Sequence, residues 1–123
     1  MAAVCGQRIN PYSVNFTNVS TADEFSTSCY RIELRRGRYN GAVWVWMRVT
    51  VTYPNNYIMG DIVEMKTPCG TAYKLPYGSG NNTILGASRC TEAICIGETH
   101  NPAYITYTGA AYGNVGTKTA RVF

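Results

Sequence analysis

The longest regular pattern of apolar and polar positions lies at residues 42–53. Every odd position there, from Val43 to Tyr53, is apolar, and β-branched and aromatic side chains dominate the stretch. The even positions are Ala42, Trp44, Trp46, Arg48, Thr50 and Thr52. Because the side chains of a strand alternate between its two faces, this pattern predicts a long strand with one face in a hydrophobic core.

A second alternating stretch, at residues 30–35, precedes the first. Its apolar side chains are predicted to point inward, as in a half-buried strand. The charged residues predicted to face water are Arg31, Glu33 and Arg35. Residues 36–41 are predicted to be a turn ending in Asn40-Gly41, a strong signal for a β-hairpin. The two strands are therefore predicted to pair in antiparallel fashion.

Shorter patterns of the same kind occur along the rest of the chain. Alternation after Pro11, as far as Phe16, predicts a first strand, and the polar residues 20–28 are predicted to form a loop with one possible helical turn. Further strands are predicted at residues 61–66, 71–75, 83–85, 103–108 and 115–123, and residues 90–96 fit either a strand or a helical turn. About seven to nine short strands between turn signals indicate an all-β fold, an antiparallel β-sandwich or flattened barrel.

The composition fits one domain of this class. The chain has 123 residues, of which only 15% are charged and 12 are glycine, a profile that suits a β-rich domain with many turns. Residues 1–123 are therefore predicted to form a single β-sandwich domain, in which residues 1–20 are a candidate strand-exchanging N-terminal arm. The net charge of +4 is modest, so nucleic acid is not an expected partner.

The cysteines indicate a disulfide-stapled protein of an oxidising compartment. There are five, none with the Cys-x-x-Cys spacing of a zinc or redox motif. Because five is odd, one is left over. Cys5, which lies ahead of the first strand, is predicted to be free or to bond to another chain. The cysteines predicted to form disulfides are Cys29, Cys69, Cys90 and Cys95, with their connectivity left open.

Other short signals concern the location of the protein. The candidate N-glycosylation sites are Asn15, Asn18 and Asn81, each in an Asn-x-Ser/Thr sequon. The first residues lack the basic and apolar regions of a signal peptide, which suggests a mature or engineered start, or assembly inside a cell as for a virus coat. No apolar run is long enough for a membrane helix. The expected location is extracellular, or the surface of a virion or cell.

Trp44 and Trp46 lie on the strand face where polar residues are expected. Either another layer of the protein covers them, or they form a docking surface for a neighbouring subunit or a sugar ring. The residues predicted to make up such a binding or assembly face are Trp44, Trp46, Arg48, Arg36, Arg38 and Tyr39.

The sequence contains no motif for catalysis. The single histidine, His100, has no nucleophile implied beside it, and no metal-ligand spacing or phosphate-binding loop is present. The protein is therefore expected to be no enzyme and to need no cofactor or metal. The favoured function is that of a structural subunit that self-assembles through β-strand pairing into an extracellular fibre, a filament or a coat. The alternative is a secreted carbohydrate-binding, lectin-like or effector domain, with a glycan as partner.

Overall fold

A computed structural model describes residues 3–26, 30–52, 62–78, 88–97, 104–111 and 114–121, the last two ranges as backbone. The described ranges form strands paired in antiparallel fashion, and they contain no helix. The strands are β1 (Arg8–Ile9), β2 (Thr17–Ser26), β3 (Tyr30–Tyr39), β4 (Ala42–Val51), β5 (Ile62–Thr67), β6 (Gly70–Tyr73), β7 (Tyr77–Gly78), β8 (Ser88–Cys90), β9 (Ala93–Gly97), β10 (Tyr104–Ala111) and β11 (Asn114–Arg121). The predicted all-β, antiparallel fold class is confirmed.

The strands belong to two sheets. The large sheet has seven strands in the main order β1-β9-β4-β3-β2, and β8 and β7 continue from β4 beside β9. The small sheet has four strands in the order β11-β10-β5-β6. Residues 83–85, one of the predicted strands, lie outside the described part of the chain. The ambiguous residues 90–96 include the end of β8 and most of β9, so they are extended and not helical.

The β3–β4 hairpin forms as predicted. Tyr39 lies opposite Ala42, so the loop consists of Asn40 and Gly41 alone, and both have a positive φ, 52° and 72°. These angles are the ones that a two-residue type I′ turn requires, and the turn fixes the register of every later pair. The predicted turn at 36–41 was therefore too long, because β3 continues to Tyr39.

The main core lies between the two sheets. One face of the large sheet, here called the inner face, supplies most of it, and Met65 and Ala72 of the small sheet complete it. The inner-face residues are Tyr30, Ile32, Leu34, Val43, Val45, Met47, Val49, Ile94 and Ile96. They include four of the odd positions of β4 that the sequence pattern placed in a core, Val43, Val45, Met47 and Val49.

A second apolar cluster covers the opposite, outer face of the large sheet. Its sheet residues are Ala42, Trp44, Trp46, Cys90, Ala93 and Cys95. Residues 3–16, here called the N-terminal arm, supply the covering side chains Ala3, Ile9 and Phe16. The large sheet is therefore buried on both sides over part of its area, by the small sheet and by the arm.

Strand β2 was not predicted. The polar residues 20–28 were expected to form a loop, but β2 pairs with β3 from Thr17 to Ser26, with register shifts at two places. One shift lies between Thr21 and Asp23, and it allows Ala22 and Phe25 to pack against the same core although they are three residues apart. The extra residue of this bulge interrupts the two-residue period, so the alternation is hidden in the sequence.

The strand predicted to begin after Pro11 is a turn instead. The backbone N–H of Ser13 donates to the carbonyl oxygen of Asn10 at 2.9 Å, and the N–H of Tyr12 donates to the side-chain Oδ1 of Asn10 at 2.9 Å. An Asn-Pro pair with this bonding favours a turn over continued extension. Turn chemistry therefore outweighs the short alternation up to Phe16.

The disulfide assignment needs correction. Cys5 is bonded to Cys69, so Cys5 is not the leftover cysteine, whereas Cys90 and Cys95 are buried free thiols. Cys29 lies outside the described residues.

A bond between the two free thiols is excluded by register. Cys90 lies opposite Arg48 on β4, and Cys95 lies opposite Trp44. The four-residue offset along β4 separates them by roughly 13 Å, beyond the reach of a disulfide.

Candidate functional site

The side of β9 that faces away from β4, here called the β9 edge, is an apolar strand edge of the large sheet. Residues 93–96 of this strand are all buried, and one side of the strand pairs with β4. The other side pairs with the N-terminal arm, where β1 places Arg8 opposite Ile94 and Ile9 opposite Ala93. Since a bare apolar edge would invite pairing with another chain, the arm serves as its cover.

Main-chain hydrogen bonds extend this pairing beyond β1. The N–H of Gly6 donates to the carbonyl oxygen of Cys95 at 2.9 Å, and the N–H of Cys95 donates to the carbonyl oxygen of Gln7 at 2.9 Å. Near the start of the arm, the N–H of Ala3 donates to the carbonyl oxygen of Asn40 at 2.9 Å. The arm thus reaches from β9 to the tip of the β3–β4 hairpin as an added strand.

Two side-chain links fix the arm in place. The Cys5–Cys69 disulfide joins it to the turn between β5 and β6, across to the small sheet. Arg8 Nη1 donates to Glu92 Oε2 at 3.2 Å, and both side chains are partly exposed. The covalent link spans 64 residues of sequence, so it is the stronger constraint of the two.

At the end of the arm, an aromatic side chain packs on the aromatic side chains of the outer face. Phe16 stacks on Trp46 with ring centroids 4.7 Å apart and meets Trp44 edge-on at 6.4 Å. The indole Nε1 of Trp44 donates to the carbonyl oxygen of Tyr39 at 3.0 Å. Gly37 leaves room for the ring, because a Cβ there would lie 2.9 Å from that of Phe16. The Tyr39 ring lies 5.9 Å from that of Phe16 and 6.3 Å from that of Trp44, so the rings of Phe16, Tyr39, Trp44 and Trp46 form one aromatic cluster.

Both tryptophans are buried, with Trp44 2% and Trp46 6% exposed. They therefore do not form the exposed docking surface that was one of the two expectations, and another part of the chain covers them. Tyr39 is partly exposed beside them.

The other residues of the predicted assembly face are divided between the two faces of the sheet. Arg36 and Arg38 lie opposite Val45 and Val43, which belong to the inner face. Arg48 lies on the outer face with the tryptophans. The six residues do not make one surface.

The opposite edge of the large sheet is β2, which is more exposed and more polar than β9. The first residues of β2 are exposed, Asn18 has a positive φ of 52°, and two bulges interrupt the pairing with β3. Asp23 and Glu24 add charge to the strand. Bulges and charges are devices that keep an edge strand from pairing with another chain.

A charged cluster lies on the outer face between β2 and β8, and the sequence pattern did not predict it. Glu33 is only 4% exposed although it was expected to face water. Arg48 donates to both of its carboxylate oxygens, with Nη2 at 3.0 and 3.2 Å and Nε at 3.2 Å. The Thr21 hydroxyl donates to Oε2 at 2.6 Å. Arg31, Arg35, Arg48 and Glu33 are here called the arginine cluster.

Two further arginines lie close to the same carboxylate. Arg31 Nε is 3.4 Å from Glu33 Oε1, and Arg35 Nη1 is 3.8 Å from Oε2. Arg35 Nη1 also donates to the Thr21 hydroxyl at 2.7 Å. The Nε of Arg35 is buried and has no hydrogen-bond partner in the described part of the protein.

The charges of this cluster shift its pKa values. Burial alone would raise the pKa of Glu33, but hydrogen bonds from Thr21 and Arg48 and the charges of Arg48 and Arg31 bring it below the ordinary value. Burial lowers the pKa of Arg35, and the neighbouring charge of Arg48 lowers it further. The cluster therefore holds an ionised carboxylate among crowded guanidinium groups.

Cys90 lies at the margin of the cluster. Its Sγ is 3.3 Å from the Tyr12 hydroxyl, and it faces Arg48 across the β4–β8 pairing. Burial raises the pKa of the Cys90 thiol, and the hydrogen bond from Tyr12 and the charge of Arg48 offset this only in part. Burial likewise raises the pKa of Cys95. Both groups are thiols at neutral pH, which favours a packing role.

Several other predicted features have a simple outcome. Asn15 and Asn18 are exposed near the start of β2, and Asn81 and His100 lie outside the described residues. No group of three or more His, Cys, Asp or Glu side chains in the described ranges is arranged to hold a metal ion. Within the same ranges there is no helix of the length and apolarity needed to span a membrane.

Comparisons with known proteins identify no relative. No protein-family model matches the chain, and no curated protein or solved structure matches it significantly.

Proposed function

We propose that the protein is a structural subunit that self-assembles into an extracellular fibre, a filament or a coat, and that subunits join by exchange of the N-terminal arm. In this arrangement residues 3–9 of one subunit pair with the β9 edge of the next. The added strand then runs between molecules instead of within one.

The observation that carries the proposal is the pairing of the arm with β9. The edge is apolar and fully buried, yet only the two residues of β1 and a few flanking hydrogen bonds complete it. Addition of an extended segment to a sheet edge is a common way for one chain to bind another, since the main chain supplies the bonds and alternate side chains the fit. The same contacts would form with the arm of a neighbour.

The energetic cost of exchange is small as long as the Cys5–Cys69 bond has not yet formed. The arm then makes the same non-covalent bonds in the closed and the exchanged forms, so only the connecting segment and the subunit concentration differ. Once the bond has formed within one chain, exchange also requires it to open and to form again between chains by thiol–disulfide exchange. The connecting segment includes the turn at residues 10–13, whose described hydrogen bonds are both local. Opening this turn would extend the chain and let the arm reach a second subunit. Head-to-tail repetition then gives an open polymer, or a closed shell if the geometry returns on itself.

Location and modification agree with this proposal. The Cys5–Cys69 disulfide is compatible with an oxidising environment, such as the outside of a cell or a virion. The exposed sequons at Asn15 and Asn18 lie at the β2 end of the sheet. Glycans there would shield β2 and leave the β9 edge free for the arm.

No described contact favours the alternative, a glycan-binding or effector domain built on Trp44 and Trp46. Both indoles are occupied by Phe16 and the arm. A glycan array that bound the monomeric protein would nevertheless favour this alternative.

A disulfide trap tests arm exchange directly. Cys5→Ser and Cys69→Ser each remove the internal bond, and neither variant can restore it alone. When the two are mixed under mild oxidation, Cys5 of one chain meets Cys69 of the other only if arms exchange. We expect a mixed dimer on non-reducing electrophoresis that disappears on reduction, with peptide mapping showing the Cys5–Cys69 bond.

The controls separate exchange from other cross-links. Each variant kept alone reveals any dimer formed through the other cysteines. The trap should also be repeated with residues 3–4 removed from the Cys69→Ser chain, which keeps Cys5 but loses the bond from Ala3 to the hairpin tip. If the wild-type protein polymerises while the mixture gives no Cys5–Cys69 bond between chains, assembly uses a different surface. A protein that stays monomeric at high concentration overturns the proposed function.

A further inference from the structure

The structure contains a second feature that assembly does not use, the arginine cluster on the outer face. We infer that this cluster binds one tetrahedral oxyanion, a sulfate or a phosphate group. The inference does not depend on arm exchange, and it would hold for a monomer.

Charge is the first argument. The cluster brings three guanidinium groups around one buried carboxylate, that of Glu33. Glu24 of β2 lies directly opposite Glu33 in the strand pairing and adds one further carboxylate. Cations still outnumber carboxylates by three to two at this part of the sheet, so the site carries a net positive charge that attracts an anion.

Hydrogen-bond capacity is the second argument. A carboxylate offers about four acceptor positions. Those of Glu33 are used by the Thr21 hydroxyl and by three contacts from Arg48. Arg31 and Arg35 approach the same carboxylate only at ion-pair distances of 3.4 and 3.8 Å. Their remaining donors call for an acceptor other than Glu33.

The third argument is the buried Nε of Arg35. This N–H group has no hydrogen-bond partner among the described residues. A buried donor without a partner costs free energy, and in native proteins such a group commonly marks an ion or water that belongs to the site. The guanidinium fork suits the oxygens of sulfate and phosphate, which accept several parallel bonds.

The site is open to solvent on one side. The Arg31 side chain is 46% exposed, that of Arg48 30% and that of Arg35 19%. An ion can therefore enter beside Arg31 and meet the more deeply placed Arg35. Trp46 lies opposite Arg35 in the β3–β4 pairing, so its fluorescence reports on this position.

The test is a titration of the intact protein with sodium sulfate, with sodium chloride at equal ionic strength as the baseline. We expect a saturable change in tryptophan fluorescence that fits one site. Arg31→Gln should weaken the affinity for sulfate by roughly fivefold, as for loss of a partly exposed ion pair. Arg38→Gln is the matched control, because Arg38 lies on the same strand with the same charge but on the inner-face side. It should leave the affinity unchanged.

A second variant addresses the buried donor. Arg35→Lys keeps the positive charge but removes the Nε–H group, and it should weaken sulfate binding by roughly tenfold, since a charge-assisted hydrogen bond is lost. Circular dichroism confirms that each variant is folded, and if Arg35→Lys is not, the comparison of Arg31→Gln with Arg38→Gln decides. The inference is overturned if the wild-type protein shows no saturable response, or if both glutamine variants weaken binding equally.

A second titration of the same protein identifies the source of the oxyanion. A sulfated disaccharide is titrated beside inorganic sulfate. Tighter binding of the disaccharide assigns the site to a sulfate ester on a sugar, and equal binding assigns it to the free ion.

Discussion

The two edges of the large sheet are built in opposite ways. The β9 edge is short and apolar, and a separate segment of the chain covers it. The β2 edge is ten residues long, bulged at two places and largely polar, and its first residues are exposed. An open strand edge can pair with another chain. The residues of β2 themselves hinder such pairing, whereas the arm covers the β9 edge.

The difference bears on the proposed assembly. The bulges and charges of β2 are part of its own sequence. They therefore hinder pairing of that edge with another chain at all times. The cover on β9 is a separate segment held by a disulfide, a few main-chain bonds and a partly exposed ion pair, so an equivalent segment could replace it when the disulfide is open. The proposed arm exchange therefore uses the β9 edge.

The largest predicted contrast between the edges comes from truncation to alanine of one apolar side chain on each. Ile94 on β9 is fully buried, so Ile94→Ala should lower the free energy of unfolding by about 2–5 kcal/mol through lost contacts and a cavity. Val19 on β2 is 41% exposed, and Val19→Ala should change it by less than about 0.5 kcal/mol. Urea denaturation of both variants measures the difference. Equal effects would show that the two edges are equally packed.

The next prediction concerns the covalent cover of β9. Cys5→Ser opens a link that spans 64 residues, and the free energy of unfolding should fall by about 2–4 kcal/mol, chiefly because the unfolded chain gains freedom. Cys95→Ala, which removes a buried thiol from the same edge, should cost only about 1 kcal/mol. Denaturation without reductant compares the two. A loss in Cys5→Ser no greater than in Cys95→Ala would contradict a stapling role for the bond.

The β2 side of the sheet should respond to acid through Glu33. Its pKa is lowered in the folded state, so its contribution to stability is present above the ordinary value of 4.5 and is lost as pH falls through the lower folded value. Glu33→Gln should destabilise the protein at pH 7 by about 1.5–3 kcal/mol, the range for hydrogen bonds to charged groups. The difference from the wild type should vanish in strong acid.

Denaturation over a range of pH measures the effect of Glu33→Gln. Glu64→Gln is the control, because Glu64 pairs with Lys66 at 3.4 Å in a more exposed position on the small sheet. A constant difference between Glu33→Gln and the wild type at every pH would exclude ionisation of Glu33 as the cause.

The smallest expected effect belongs to the ion pair on the arm. Arg8 and Glu92 are each 37% exposed, so Arg8→Gln should cost at most about 1 kcal/mol, and less at high salt. Thermal unfolding at low and high ionic strength tests this. A loss comparable to that of Cys5→Ser would mean that the ion pair holds the arm as strongly as the disulfide does.

The hairpin shows how far sequence reasoning could have gone. The Asn40-Gly41 turn with a two-residue loop fixes the register, and with it the fact that Arg36 and Arg38 lie opposite valines of the core face. The predicted assembly face mixed residues from both faces because it was grouped by closeness in sequence. Because side chains alternate along β3, the even positions Arg36 and Arg38 already belonged to a different face from Tyr39.

Other features could not be found by periodicity. The bulge in β2 places Ala22 and Phe25 on one face at an odd spacing, which removes the signal of alternation. Glu33 was assigned to water by its strand parity, and parity was correct about its face. The alternation of side chains could not predict that Arg48 and Thr21 donate hydrogen bonds to Glu33 on that face.

Sequence patterns were enough to predict the fold class, the β3–β4 hairpin and the core face of β4, because these depend on local alternation and on turn geometry. What covers the outer face, which cysteines pair and which edge the arm covers became visible only in the folded protein. Alternation tells which side chains share a face of a strand, but the material packed against that face comes from distant parts of the chain. Trp44 and Trp46 are buried for this reason: Phe16 and the arm lie over them.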